Sequence, residues 1–242
     1  MNPSPFFSLA VTADASASVF CRSLYTLSSS ESSLPRVPLP SFTVVVTAGT
    51  ALAVTADDVR KYKAVVRHRM ILWDNYPVND FYNTLFLGPL TGRDADLCEE
   101  LYGMMSNPMR DPFLNRLPLS TIADYMNAPA SYDEEKALQR ALRRFSRHRK
   151  DRAAFARLAE MYTSNMAAGQ SRTSYNAVRE MFSQALSEDR AAAASIAGRL
   201  QSIYDELAPK YRSTCSLGFD VIRKDLDWMQ ARSEERRVGK EC

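Results

Sequence analysis

The segment Ile71-Leu-Trp-Asp-Asn-Tyr-Pro-Val-Asn-Asp80 decides the predicted fold in the middle of this 242-residue chain. Its first half continues Met70 as a short apolar run, typical of a buried strand, and its second half is a polar loop. Two further β-prone runs flank it, Val44-Val45-Val46-Thr47 upstream and Gly103-Met-Met-Ser106 downstream. The pattern therefore predicts three short buried strands.

Helical patterns separate these strands. Thr55, with Asp58 three residues later, is typical of a helix N-terminus, and residues 94–102 and 119–126 predict two further short helices. Alternation of strands and helices implies parallel strands. The first strand, 44–47, has no predicted neighbour on its outer side, so we expect an unpaired apolar edge there.

From residue 130 onward only helical spacing of apolar residues remains. The pattern predicts five amphipathic helices, the fourth of them ended by Pro209. The predicted fold class is therefore α/β followed by all-α, with an α/β domain over 42–129 and a helical bundle over 130–231.

Both ends of the chain differ from the middle. Residues 1–41 hold eleven Ser and five Pro but only four charged residues, and no basic residue precedes the apolar run 6–11 as it would in a signal peptide. This low-complexity stretch is interpreted as a flexible leader, as misread or misjoined coding sequence, or as a targeting peptide. Residues 232–242 match, codon by codon, the translation of a sequencing-library adapter, so we expect an artefact tail and a natural protein that continues beyond Ala231.

The composition excludes several classes of protein. Hydrophobic residues make up 45% and charged residues 24%, a balance typical of a globular protein. The net charge of +3 gives no global attraction to nucleic acid. Two histidines and four scattered cysteines predict neither a metal site nor a disulfide framework, and the longest apolar stretch, 42–54, is too short to span a membrane.

Four blocks carry a family resemblance. They are Ile71–Asp80, Leu85-Phe-Leu-Gly-Pro-Leu-Thr-Gly-Arg93, Met105-Ser-Asn-Pro-Met109 and Ile122-Ala-Asp-Tyr125. In this order they resemble glycoside hydrolase family 84, the β-N-acetylglucosaminidases that include protein O-GlcNAc hydrolases and hyaluronidase-like bacterial enzymes. The resemblance implies the last three strands of a (β/α)8 TIM barrel followed by a helical domain, with the site at the carboxyl ends of the strands.

The resemblance also implies substrate-binding residues. Asp80 matches an aspartate that holds two sugar hydroxyls, a task suited to a carboxylate with two acceptor oxygens. Asn75 and Asn107 match sugar contacts, and Trp73 matches an aromatic wall of the acetamide pocket. Each residue also has a structural explanation: core packing for Trp73, a turn cap for Asp80, and the backbone restriction imposed by Pro108 on Asn107.

The family cleaves by substrate-assisted catalysis with two adjacent aspartates, a departure from the usual scheme of two catalytic carboxylates. In the family these aspartates lie on an earlier barrel strand, within an apolar run. The adjacent pair in this chain, Asp57-Asp58, instead stands at a predicted helix start, where acidic residues serve as caps. We therefore expect no catalytic residue and no cofactor in this chain, and no glycosidase activity from it alone. Asp74 is expected to shape the loop through hydrogen bonds.

A second class of function stays open. The segment Lys136–Arg152 holds eight Lys or Arg and one acid, Asp151. On one helix, Arg140, Arg143, Arg144 and Arg147 would share a face, which indicates either a solvated surface or a polyanion-binding surface. The sequence thus favours part of an enzyme acting on an N-acetylglucosamine-containing glycan or glycoprotein, with a non-catalytic carbohydrate- or polyanion-binding module as the alternative.

Overall fold

The structure, a computed structural model, describes residues 8–10, 43–47, 53–66, 68–80, 83–163 and 176–238. Its sheet has four strands in sequential order, namely β1 (Ser8–Ala10), β2 (Thr43–Thr47), β3 (Arg69–Asp74) and β4 (Gly103–Ser106). Strands β2, β3 and β4 are parallel, with Val45 opposite Ile71 and Leu72 opposite Met104. The three predicted strands and their parallel arrangement are confirmed.

The prediction of an unpaired outer edge on β2 is wrong. Strand β1 pairs with that edge in antiparallel register, from Ser8 opposite Thr47 to Ala10 opposite Val45. The free N–H and C=O groups of an edge strand can pair with any extended segment that reaches them. Residues 8–10 lie in the stretch where the sequence showed no sustained period, so this long-range pairing left no local signal.

Three helices accompany the sheet. The first, α1 (Ala56–Val65), begins as predicted, because the Thr55 hydroxyl oxygen accepts a hydrogen bond from the Asp58 amide at 3.1 Å. The second, α2, is shorter than predicted and spans only Leu97–Glu100. It ends there because Leu101 is extended and the next amide, of Tyr102, donates to the Met70 carbonyl and so leads the chain into β4.

The helix α3 (Arg116–Asn127) starts three residues before its predicted beginning at Leu119 and is followed by a 3-10 turn, Pro129–Ser131. Among the residues that the structure describes, five further helices follow, and they confirm the five predicted helical segments. They are α4 (Glu134–Phe145), α5 (Arg149–Met161), α6 (Ala177–Glu188), α7 (Arg190–Tyr211) and α8 (Ser216–Val238).

Two details of the helical prediction are wrong. Pro209 does not end its helix, because it lies exposed in the last turn of α7 and only one backbone hydrogen bond is lost there. The basic run 136–152 is not one helix either. It breaks at Ser146, an extended residue whose hydroxyl accepts from the His148 amide at 3.2 Å, so Arg147 lies in the connection between α4 and α5.

Helix α8 continues into the segment 232–242 that was set apart in the sequence. It extends to Val238, and the Ser233 hydroxyl donates to the Met229 carbonyl at 2.9 Å. Arginine and glutamate dominate this segment and are good helix formers, so they prolong a helix already formed by the residues before them.

Two hydrophobic clusters hold the fold together. The smaller one packs α1 and α2 against the sheet through Val54, Val59, Met70, Leu72 and Leu97. The larger one joins the loop 85–90 and α3 to all five later helices, so residues on both sides of position 130 share one core. Its fully buried members include Leu87, Leu117, Phe155, Phe182 and Phe219. Within the described ranges, no helix is both long enough and apolar enough to cross a membrane.

Candidate functional site at the carboxyl ends of β3 and β4

The parallel register brings the ends of β3 and β4 together. Asp74 lies opposite Ser106, so Asn75 and Asn107 are the first residues beyond the two strands. The Asn107 amide N–H donates to the Asp74 carbonyl at 2.8 Å and extends the ladder by one step. The sheet therefore delivers both asparagines to the same edge, as the sequence predicts.

The side chains of these two asparagines meet. Asn107 Nδ2 donates to Asn75 Oδ1 at 3.2 Å, and Trp73 Nε1 donates to the same oxygen at 3.1 Å. Trp73 is 38% exposed, so the alternative of plain core packing does not hold for it. Three of the four predicted contact residues thus form one hydrogen-bonded group with an aromatic side chain open to solvent.

Asp74 lies directly beneath this group and shapes the loop, as expected. It is 1% exposed, and its Oδ1 accepts the Tyr76 amide at 2.9 Å. Arg93 holds both carboxylate oxygens, with Nε to Oδ2 and Nη2 to Oδ1 at 2.8 Å each. A buried carboxylate needs such a partner, because desolvation penalises an isolated charge.

Arg93 is a site residue that the sequence motifs did not single out. A signal for it was present, because Arg93 is the only Lys or Arg between positions 70 and 109. A buried aspartate at a strand end requires a nearby cation, and no other residue of this segment could supply it.

The loop after Asn75 is fixed by a series of backbone contacts. The bond between Tyr76 and Pro77 is cis, the Tyr76 hydroxyl donates to the Gly88 carbonyl at 2.7 Å, and Ser106 Oγ donates to the Tyr76 carbonyl at 2.8 Å. Buried Asn79 then bridges two loops. Its Nδ2 donates to the Thr84 carbonyl at 2.8 Å, and its Oδ1 accepts the Arg110 amide at 3.1 Å.

Asp80 follows this anchored asparagine and is exposed. Among the described residues it makes no hydrogen bond, so none joins it to Asn75 or Asn107. Its carboxylate is thus available to solvent beside the buried Asn79. That Asp80 contacts the same sugar as Asn75 and Asn107 stays a prediction.

The other side of the loop is tied to α1 and α3. Asp94 accepts the Ala56 amide at 3.0 Å, and the Tyr125 hydroxyl donates to the Asp94 carbonyl at 2.7 Å. The Tyr132 hydroxyl donates to the Leu90 carbonyl at 2.9 Å, and burial raises the pKa of Tyr132 to about 12. Both tyrosines therefore act as neutral donors that hold the loop at neutral pH.

The pair Asp57-Asp58 has the capping geometry expected from the sequence. Asp58 receives a hydrogen bond from the Thr55 hydroxyl at 2.6 Å, and Asp57 forms an ion pair with Lys61 at 2.6 Å. The hydrogen bond from Lys61 lowers the pKa of Asp57, which is exposed. Among the described residues no cluster of His, Cys, Asp or Glu could hold a metal ion.

A comparison with models of known protein families finds a match for this chain. A family model described as beta-N-acetylglucosaminidase matches residues 12–160, more than half of the chain. The chain belongs to this family. The matched range contains the whole site at the ends of β3 and β4.

Individual relatives agree with the family. The chain is 27% identical over 73 residues to the "Protein O-GlcNAcase" of Rattus norvegicus and equally to that of Mus musculus. These residues are 30% of this chain, which spans only 8% of either relative. A structure of the Thermobaculum terrenum O-GlcNAc hydrolase, a mutant, matches with a TM-score of 0.62 and 22% identity, covering 88% of this chain and 51% of that one. The likeness at this identity concerns the fold.

Proposed function

We propose that this chain is the part of a β-N-acetylglucosaminidase that holds the terminal sugar through Trp73, Asn75, Asp80 and Asn107. The observation that carries the proposal is the hydrogen-bonded group of Trp73, Asn75 and Asn107 at the ends of two neighbouring parallel strands. Membership of the β-N-acetylglucosaminidase family supports it. Strands β2 to β4 are, in this proposal, the last three strands of a (β/α)8 barrel.

Each residue has a role that suits its chemistry. The asparagine amides both donate and accept hydrogen bonds, so they can bind hydroxyl or carbonyl oxygens of the sugar. The exposed Asp80 carboxylate accepts short bonds from two neighbouring hydroxyls. The Trp73 ring offers an apolar wall to the acetamide methyl group. The Arg93–Asp74 pair fixes the backbone from which Asn75 projects.

We do not assign the catalytic acid and base to any residue of this chain. In substrate-assisted cleavage the acetamide oxygen of the substrate attacks the anomeric carbon, and two adjacent aspartates orient it and transfer the proton. Asp57 and Asp58 are engaged with Lys61 and Thr55 at the start of α1. We therefore expect that neither this chain alone nor its Asp58→Ala variant hydrolyses a fluorogenic β-N-acetylglucosaminide.

The test of this proposal needs a longer protein, in which this chain follows the earlier barrel strands that carry the paired aspartates of the family. Asp80→Ala should lower kcat/KM for an aryl N-acetylglucosaminide by at least ~100-fold, because two charged hydrogen bonds of roughly 1.5–3 kcal/mol each are lost. Asp96→Ala removes another exposed aspartate, between β3 and β4, and serves as the control with unchanged kcat/KM. Equal kinetics for both variants would make Asp80 a turn residue and refute its role.

A further inference from the structure

Four cations stand exposed around the junction of α4 and α5 and are called here the basic edge. Among the residues that the structure describes, none of the four has a carboxylate within ion-pair distance. The basic edge consists of Arg143, Arg147, Arg149 and Lys150.

Neighbouring cations, in contrast, are compensated. Arg140 and Arg144 both pair with Asp124, at 2.8 and 3.4 Å. The one acid within the run, Asp151, is 2% exposed and is occupied by Lys210 at 2.6 Å and by the Tyr211 hydroxyl at 2.7 Å. The positive charge of the basic edge is therefore left facing solvent.

Two residues of the basic edge lie at the N-terminus of α5, where a positive charge is unfavourable for the helix. Arg149 and Lys150 occupy the first turn of α5, where the helix dipole favours acidic residues, and the single acid of that turn, Asp151, is buried. The N-cap residue His148 makes no capping hydrogen bond with its side chain. Helix α4 follows the usual rule, with Asp133 as its N-cap and two glutamates in its first turn. The two exposed cations at the start of α5 are thus less suited to the helix dipole than the glutamates at the start of α4.

Contacts link the end of α4, beside the basic edge, to the loop that leaves the candidate site. The loop that leaves β4 at Asn107 ends at Arg116, where α3 begins. The Arg116 guanidinium donates to the Arg144 carbonyl at 3.3 Å and lies over the Phe145 ring, 5.2 Å from its centroid. One loop thus connects the sugar-contact edge of the sheet to the end of α4.

We infer that the basic edge binds sulfate or carboxylate groups of an anionic glycan whose N-acetylglucosamine enters the site. This inference rests on the proposed function. Guanidinium groups match such anions with paired hydrogen bonds, and three of the four cations are arginines.

The surroundings of the basic edge favour a glycan over other polyanions. Large exposed apolar side chains of the described residues lie elsewhere. Apart from the exposed His148 imidazole, the edge therefore offers no ring for stacking bases and no apolar contact for peptide side chains. A glycan needs neither. These exposed side chains are Val65, Trp73, Tyr102, Met126, Met181 and Leu217.

Titration calorimetry of the whole chain with two hexasaccharides tests the inference, one heparin-derived and sulfated, the other uncharged chitohexaose. The double variant Arg143→Glu/Arg147→Glu should weaken heparin hexasaccharide binding at least tenfold and lower the slope of log affinity against log salt by about two. The matched control is Arg69→Glu/Lys224→Glu, which reverses two exposed cations that also lack an ion pair among the described residues and should change affinity less than twofold.

The outcomes separate the two proposals. Equal loss in the edge and control variants would refute the basic edge as a site, and so would absence of heparin hexasaccharide binding. A DNA duplex or polyglutamate of equal charge that binds as tightly would refute the assignment to a glycan. Chitohexaose reports on the sugar site alone: its binding should survive the edge variant and weaken with Asp80→Ala, and failure there refutes the proposed function instead.

Discussion

Two buried aspartates, Asp74 in the sheet and Asp225 in α8, illustrate different uses of the same residue. Asp74 is 1% exposed and its partners, Arg93 and the Tyr76 amide, belong to the loop region that follows β3. It lies under Asn75 and shapes the loop that leads to Asp80. A buried carboxylate at a strand end thus serves to orient the residues beside it.

Asp225 is 0% exposed and joins elements distant in the sequence. It accepts hydrogen bonds from the Tyr162 hydroxyl at 2.7 Å, Arg179 Nε at 2.7 Å and Asn176 Nδ2 at 2.9 Å. These donors follow α5 or begin α6, so the carboxylate ties three helices together. The comparison indicates that Asp74 serves the site, whereas Asp225 serves the fold.

The largest expected effect follows from Asp225→Ala. This change leaves the Arg179 charge and the buried Tyr162 hydroxyl without their partner, and breaking a buried ion pair costs about 3–5 kcal/mol. Urea denaturation should show that loss in the free energy of unfolding. Asp227→Ala, an exposed position on the same helix, should stay within about 0.5 kcal/mol of wild type. A loss below about 1 kcal/mol for Asp225→Ala would contradict the structural role.

Arg93→Met tests whether Asp74, unlike Asp225, positions the residues of the site. It removes two charged hydrogen bonds from Asp74 and should lower the free energy of unfolding by about 3 kcal/mol. Unlike Asp225→Ala, it should also shift the NMR signal of the Trp73 indole N–H, because Trp73 and Asn75 flank the freed carboxylate. An unchanged indole signal in the folded Arg93→Met protein would show that Asp74 does not position the site.

A smaller effect concerns pH. Burial raises the pKa of Asp225 above its ordinary value of 3.8, although its three donors act in the opposite direction. The folded chain therefore holds this proton more tightly than the unfolded chain, and ionisation of Asp225 weakens folding as pH rises from the ordinary value through the raised one. The free energy of unfolding of wild type minus that of Asp225→Asn should fall across this range. A difference that rises with pH would contradict the direction of the shift.

Local patterns were enough to predict most of the fold. The strand 71–73, the N-cap at Thr55 and the five later helices each leave a signal within a few residues. The β1 pairing did not, because it joins segments more than thirty residues apart. The break between α4 and α5 was missed because Ser146, which ends one helix and binds the next amide, lies among residues that favour helix.

The candidate site was predictable in part for the same reason. Asn75 and Asn107 follow strands of known direction, so their meeting follows from parallel register. Arg93 required knowledge that Asp74 is buried, which the alternation of the strand alone does not provide. Asp80 lies in an irregular loop, and the role assigned to it comes from family resemblance.

An NMR titration of the chain with N-acetylglucosamine tests the central claim most directly. We expect shifts of the Trp73 indole N–H and of the Asn75 and Asn107 side-chain amides. We also expect binding at least ~10-fold weaker for Asp80→Ala, since one hydrogen bond to a charged group is worth roughly 1.5–3 kcal/mol. Shifts confined to other residues, or equal affinity for wild type and Asp80→Ala, would contradict it.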